Sequence, residues 1–391
     1  MRILVAYASR TRTVVAGAVV AGALVACART TVPNRVVSAG SASHVFTPQF
    51  DYLWTQYQQL YPSFTYKAVD WKAQRAIYRP RAQNARSQDE FVAVVREMLA
   101  PLHDLHAFLI DPRGDIVSTY QPSGIANFDR LRWGRALRDA SYVSRSTGVG
   151  EAMVGSYPYL FIGSWNAPLD ITGLDLALAR ARDAAGLIID VRTNGGGNDA
   201  TALALVARFA TRSFVASYVQ MRNGSSSGDL DTPVARTVTP RGAWQFTRPV
   251  VVIAGRAGFS ATESFVAAMR TLPNVTVIGD TTGGASGNPA TFALENGWQF
   301  SVPRWLEYGP DRKPIEGRGV PPHLTLAWNP DMYDSERDPL IDAAVGVLGE
   351  RTGVYRMAPA STNNVARTSA FARNAILAAR TAHYALRSEK K

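Results

Sequence analysis

Two short apolar runs constrain the fold of this chain more than any other feature: Gly186-Leu187-Ile188-Ile189, closing in Asp190-Val191, and Val250-Val251-Val252-Ile253-Ala254. Runs of that length, rich in β-branched residues, are strands buried on both faces. Further strands are expected at Tyr159–Ile162 and Val275–Ile278, with helices over Leu174–Ala184 and from Ser260 onward. Strands alternating with helices need crossover connections, so the expectation is an α/β fold with a largely parallel sheet. A hairpin should turn at Asn296-Gly297, between Phe292-Ala293-Leu294 and Gln299-Phe300-Ser301-Val302, because that dipeptide accepts the positive φ angles of a tight turn. Upstream, Phe91, Val94, Val95, Met98, Leu99 and Leu102 recur at helical spacing. The stretch from Phe50 to Leu105 is expected to be helical, its aromatics forming a core.

The N-terminus carries a processing signal. Arg2, Arg10 and Arg12 precede the thirteen uncharged residues Val14–Ala26, too few to span a bilayer and suited to a secretory signal. Leu24-Val25-Ala26 then leads into Cys27, the only cysteine. This resembles the lipobox of bacterial lipoproteins, which implies a lipidated Cys27 as the mature terminus. The implied location is the cell envelope, anchored to a membrane and facing the periplasm, on the outer membrane in a double-enveloped host. A secretory signal cleaved nearby beside an incidental cysteine is the alternative. With Cys27 acylated, no thiol remains for a disulfide or a nucleophile.

The expected organisation is a signal over 1–26, a tether over 27–45, a helical N-terminal subdomain over 46–110, an α/β core over 111–345 and a basic tail over 346–391. Loss of Arg2, Arg10 and Arg12 lowers the net charge from +11 to +8. Residues 351–391 supply most of that, with eight Lys or Arg against Glu389 alone. No base-reading or stacking module accompanies the charge, so nucleic acid is not an expected partner. Arg373, Arg380 and Arg387 recur every seven residues, on a face that is either solvated or set against an anionic membrane.

Gly258-Phe259-Ser260-Ala261-Thr262-Glu263 directly follows the second apolar run. Strand, glycine-assisted turn and helix in that order lift the Ser260 hydroxyl out of the sheet. The unpaired amides of the helix start then point at whatever its oxygen attacks. Serine is also a common helix cap, and Ser260 suits that role equally. A serine nucleophile needs a base of near-neutral pKa. Of five histidines, His44 lies in the tether, His383 in the tail and His323 behind Pro321-Pro322, while His103 and His106 flank Asp104. His106 is either that base or a satisfied histidine at a subdomain junction. On a helix His103 and His106 would share a face and suit a metal, yet no third ligand pattern accompanies them; neither metal nor cofactor is expected. The five lysines leave none between Lys72 and Lys313, which argues against a lysine base.

An oxyanion needs two converging donors. Ala261 N–H is one; Gly195 or Gly196, within Asn194-Gly195-Gly196-Gly197-Asn198, is the candidate for the other, since glycine lets backbone approach closely. The same run also fits a merely flexible loop, and it lacks the spacing of a dinucleotide site. Thr281-Thr282-Gly283-Gly284 is a third loop at the same kind of strand end.

Together these segments resemble the tail-specific and tricorn-type serine peptidases. The resemblance is carried by Leu102-His103-Asp104-Leu105-His106, by Gly186–Gly197, by Gly258–Glu263, and by Gly279–Gly284 with Glu316-Gly317-Arg318-Gly319-Val320-Pro321-Pro322. It implies a crotonase-like (ClpP/crotonase) core and a peptide or protein substrate. It also implies Ser260 as nucleophile, His106 as base and Glu316 as the acid orienting His106, with Asp104 as rival. The processing branch of the family uses a lysine that would fall near Ala285, and many members insert a peptide-binding domain after the histidine segment. This chain has neither: only 46 residues separate Pro112 from Tyr159. Two other functions use the same equipment, a non-catalytic ligand-binding or scaffold module and an acyl-ester hydrolase. A closed apolar pocket would favour the ester. Oligomeric state is not fixed by the sequence.

Overall fold

The computed structural model describes residues 45–353 except 123, 125, 139, 147, 167–168, 170, 225–227 and 327–337. The signal, Cys27, His44, most of the basic tail and His383 lie outside the described residues. Among the described residues no helix is long and apolar enough to cross a membrane.

The chain opens with α1 (Phe46–Leu60), α2 (Trp71–Gln83) and α3 (Gln88–Leu99). Asp70 and Ser87 start α2 and α3 by accepting the amides of Ala73 and Glu90 at 3.0 and 3.2 Å, which satisfies donors that a helix start leaves open. Phe50, Leu53, Tyr57, Phe91, Val95 and Met98 face one another in a cluster that also takes in Phe300 and Val302. Within it Phe64 stacks on Trp71 at 4.9 Å. A 3-10 turn ends α3 at Leu102, and His103 adopts a left-handed φ of 45°. His103 and His106 therefore do not lie on one helix, and the arrangement that would suit a metal pair does not form.

Then follow β1 (Phe108–Ile110), β2 (Ile116–Ser118), α4 (Arg130–Arg138), β3 (Val143–Ser146), β4 (Val149–Val154), β5 (Tyr157–Ile162), α5 (Ile171–Arg180), β6 (Leu187–Asp190) and α6 (Asp199–Val206). The second half holds β7 (Phe214–Met221), β8 (Val234–Val238), β9 (Val250–Ala254), α7 (Ala261–Arg270), β10 (Val275–Gly279), β11 (Ala290–Ala293), β12 (Gln299–Val302), β13 (Trp305–Tyr308), β14 (Leu324–Thr325) and α8 (Pro339–Thr352). The central sheet has the order β14-β10-β9-β6-β5-β4-β3. Its strands alternate inward faces: Leu187, Ile189, Val250 and Val252 pack under α5, α6 and α7, while Ile188, Val251 and Ile253 pack under α4 and α8. Both apolar runs are thus covered on both sides, as their composition demands. The hairpin β11–β12 turns at Asn296 and Gly297, both at positive φ.

The crotonase-like core implied by the sequence is not the architecture found. The chain is α/β, but only β5, β6, β9, β10 and β14 run parallel. β4 and β3 pair antiparallel beyond them, because the two-residue link between β4 and β5 closes a hairpin and cannot form a crossover. Two separate antiparallel sheets, β11-β12-β1-β2 and β13-β7-β8, flank the central one. The first of these shares its hydrophobic cluster with α1–α3.

Under the central sheet, Arg192 is fully buried with Asp190 and Asp338, at 2.7 and 2.9 Å. Asp338 also accepts the amides of Leu340 and Ile341 and so caps α8. One guanidinium ties the end of β6 to the start of the C-terminal helix.

Candidate active site

Ser260 precedes α7 with φ 60° and ψ −130°, outside the regions an L-residue prefers. Its hydroxyl makes no capping hydrogen bond, so the serine stands at the cap position without capping. Its amide donates to the Ala285 carbonyl at 2.7 Å. The N–H of Ala261 has no acceptor among the described residues, which leaves it open toward an oxyanion.

The glycine run lies directly against this turn. A Cβ on Gly196 would stand 2.6 Å from Ser260 Cβ, and Gly196 has a φ of 102°. Only glycine fits there. Its N–H donates to Asn194 Oδ1 at 2.9 Å, so Gly196 provides room, while the amides of Gly195 and Gly197 have no acceptor among the described residues. Thr262 holds the run in place by donating to the Asn194 carbonyl at 2.8 Å.

The segment 284–287 gathers the remaining groups through successive amides. Gly284 and Ala285 donate to Glu263 at 2.8 and 2.7 Å. Ser286 donates to Glu316 at 3.1 Å, and Gly287 donates to His106 Nδ1 at 3.3 Å. Glu263 also accepts the Thr282 hydroxyl at 2.5 Å, and burial pushes its carboxyl up to about 7 against these donors. The Thr281–Gly284 loop is therefore pinned to α7.

His106 is buried, with its ring edge-on to Phe259 at 6.1 Å. No hydrogen bond joins it to Ser260 among the described residues, and with Nδ1 accepting from Gly287 the proton of the neutral ring sits on Nε2. Burial lowers its pKa; Asp104 pulls it up and Lys67 pushes it down. Asp104 accepts the backbone amide of His106 at 2.9 Å and the Tyr61 hydroxyl at 3.0 Å, so it fixes the main chain of His106 and leaves the ring alone.

Glu316 does not contact the ring either. It is buried and accepts Lys67 Nζ at 2.5 Å. Burial first, then Asp104, pushes its carboxyl up to about 8, while Lys67 pulls it down. Lys67 also lies 3.9 Å from Asp104 and donates to the His103 carbonyl at 3.1 Å. Lys67 is the residue sequence reasoning missed: it lies in the link between α1 and α2, and no motif marks it. The other histidines are elsewhere. His103 stacks on Tyr120 at 4.9 Å, and His323 accepts the Val277 amide at the sheet edge.

A model of peptidase family S41 matches residues 159–326, and one of the tricorn protease C1 domain matches residues 46–100. The crystal structure of a candidate peptidase from Parabacteroides merdae is 30% identical and superposes with a TM-score of 0.69, covering 76% of this chain and 95% of that one. The chain belongs to peptidase family S41.

This S41 chain is a serine-type peptidase, and a peptide or protein is its substrate class. Two more distant structures share its fold. Mature CPAF is 12% identical with a TM-score of 0.61, over 79% of this chain and 98% of that one. The tricorn protease is 15% identical with a TM-score of 0.52, over 79% of this chain and 37% of that one. The fold is accordingly that of the S41, tricorn and CPAF peptidases and not the ClpP/crotonase fold. No curated protein matches the S41 chain in sequence.

Proposed function

We propose that Ser260 attacks the substrate carbonyl, that Ala261 N–H and an amide of the Gly195–Gly197 run hold the oxyanion, and that His106 carries the proton. The observation that carries this is the strained turn at Ser260, whose hydroxyl is left uncapped beside an open helix start. To act as base, the His106 ring exchanges the Gly287 amide for the Ser260 hydroxyl and accepts its proton, which passes to the departing amine as the C–N bond breaks; His106 then takes a proton from the water that attacks the acyl-enzyme and returns it to Ser260 Oγ as the new carboxylic acid leaves. Such contacts commonly tighten only with substrate bound. Glu316 and Lys67 act on the ring through the 284–287 segment and through charge. Ala285, where the processing branch carries lysine, is fully buried and aliphatic, which supports the histidine-based branch. No peptide-binding insert is proposed, since residues 112–158 contribute β2, α4, β3 and β4, the last two being part of the central sheet.

The cleft at Ser260 includes Asp199, Ser264, Ser286, Asn288 and Glu307. That polar lining favours a peptide over an apolar acyl group. The envelope location and the lipid on Cys27 rest on the signal and lipobox alone. The Ser260→Ala variant should lose on the order of 10⁴–10⁶-fold in turnover of a peptide reporter with its unfolding midpoint nearly unchanged. Full turnover by that variant, or a fluorophosphonate that labels another residue, would refute the assignment.

A further inference from the structure

Helix α4 holds Arg130, Arg132, Arg135 and Arg138 and no acid, with Asp129 and Asp139 just outside it. One side fastens it to the fold. Ala136 and Leu137 are buried, and Trp133 donates to the Tyr159 hydroxyl at 2.9 Å and packs on Phe161 at 5.2 Å. The other side faces solvent. Leu131, Arg135 and Arg138 stand at i, i+4 and i+7, on one stripe of the helix, with exposed Arg130 and Gly134 beside it. Leu131, at 71%, is the most exposed large apolar side chain among the described residues.

The charge on this stripe is unmatched. In α2, by contrast, Arg75 and Arg79 lie 2.8 and 2.9 Å from Asp51, and Arg81 lies 2.7 Å from Glu97. Arg130, Arg135 and Arg138 meet no carboxylate, acceptor or ring among the described residues. Free guanidiniums around an exposed leucine complement an anionic bilayer, whose headgroups take the cations while the apolar side chain sinks between them. A nucleic acid would strand Leu131 against phosphates, and the stripe offers no aromatic ring for bases to stack on.

The chain beyond the described residues has matching charge and length. Helix α8 covers the same face of the central sheet as α4, and residues 354–391, which follow it, hold seven Lys or Arg against Glu389. Between Cys27 and Val45 lie 17 residues, which reach up to about 60 Å when extended. A lipid on Cys27 is therefore compatible with α4 at the bilayer.

We propose that the outer stripe of α4 docks on an anionic membrane surface, with Leu131 entering the headgroup layer and Arg130, Arg135 and Arg138 meeting lipid phosphates. The molecule then sits with the α4 side of its central sheet toward the bilayer. This goes beyond the peptidase chemistry and does not depend on which residue is the nucleophile.

The test uses the full chain with Cys27→Ser, which cannot be acylated. Its sedimentation is compared on vesicles of phosphatidylcholine alone and of phosphatidylcholine with about one-third phosphatidylglycerol. Binding should require the anionic lipid and weaken as salt is raised. Each arginine at the surface contributes about fivefold, so Arg130→Gln, Arg135→Gln and Arg138→Gln combined should weaken binding about a hundredfold. That variant should keep its unfolding midpoint and its turnover of a soluble peptide. A Cβ on Gly134 would meet no atom within 4 Å, so an environment-sensitive fluorophore on Gly134→Cys reports from this face. Its emission should shift to the blue only with the anionic vesicles. Equal binding to both vesicles, or undiminished binding by the triple variant, overturns the proposal. So does unmoved emission from vesicle-bound Gly134→Cys, which would put the tail or another face at the membrane. Binding to double-stranded DNA in preference to the anionic vesicles would overturn it in favour of a nucleic-acid partner.

Discussion

Lys67 shows how one residue alters a site whose motifs were otherwise readable. Ser260, His106 and the glycine run were singled out from local segments and Glu316 from the family resemblance. Lys67 sits between two helices whose sequence signals only aromatics, and its contact with Glu316 spans 249 positions. No local pattern encodes such a pairing. Its effect on His106 has a definite sign: burial already lowers the histidine pKa from 6.5, and Lys67 lowers it further. A base is active when neutral, so the acid limb of kcat/KM should have its midpoint below 6.5. In Lys67→Met the limb should move to higher pH, and kcat should fall by about 10–100-fold, within the range of a misoriented general base. A pH–rate profile of both proteins checks this; superimposable limbs would remove Lys67 from the site.

At the level of elements, the 284–287 segment does what the sequence could not announce. The sequence marked it only as the place where the processing branch carries a lysine, because its role lies in four amides that reach Glu263, Glu316 and His106, and amides leave no trace in side-chain identity. Strands β5, β6, β9 and β10 and helix α7 were legible because apolar runs and a glycine turn are local signals. The departure from a crotonase-like core was not, since the β4–β5 hairpin decides that point. Glu263 anchors the segment, with its carboxyl raised from 4.5 to about 7 by burial. A raised folded-state pKa means stability that is fully present below 4.5 and is lost as pH rises through about 7. Glu263→Gln should flatten that slope between those values, and cost about 1–3 kcal/mol by turning an amide donor toward backbone donors. Urea midpoints across that pH range measure both effects.

For the whole molecule, the buried Arg192 cluster is the point at which β6 and α8 stand or fall together. Arg192→Met would leave Asp190 and Asp338 buried without their cation, at a cost of about 3–5 kcal/mol. Chemical denaturation should show that loss as a lower midpoint, and an unchanged midpoint would mean that α8 is held by its apolar contacts alone. The groups proposed for catalysis are distributed differently. His106 lies between Leu102 and Ala107 of the cluster built by α1–α3, whereas Ala261 and Phe265, just beyond Ser260, belong to the cluster under the central sheet. The two groups meet where those cores abut, across the His106 ring and Phe259, the Gly287 contact with His106, Lys67 with Glu316, and Tyr66 with the Glu316 carbonyl at 3.0 Å. A substitution that shifts this boundary without opening either core should cost more in turnover than in stability, so an activity assay should register damage that a melting curve does not.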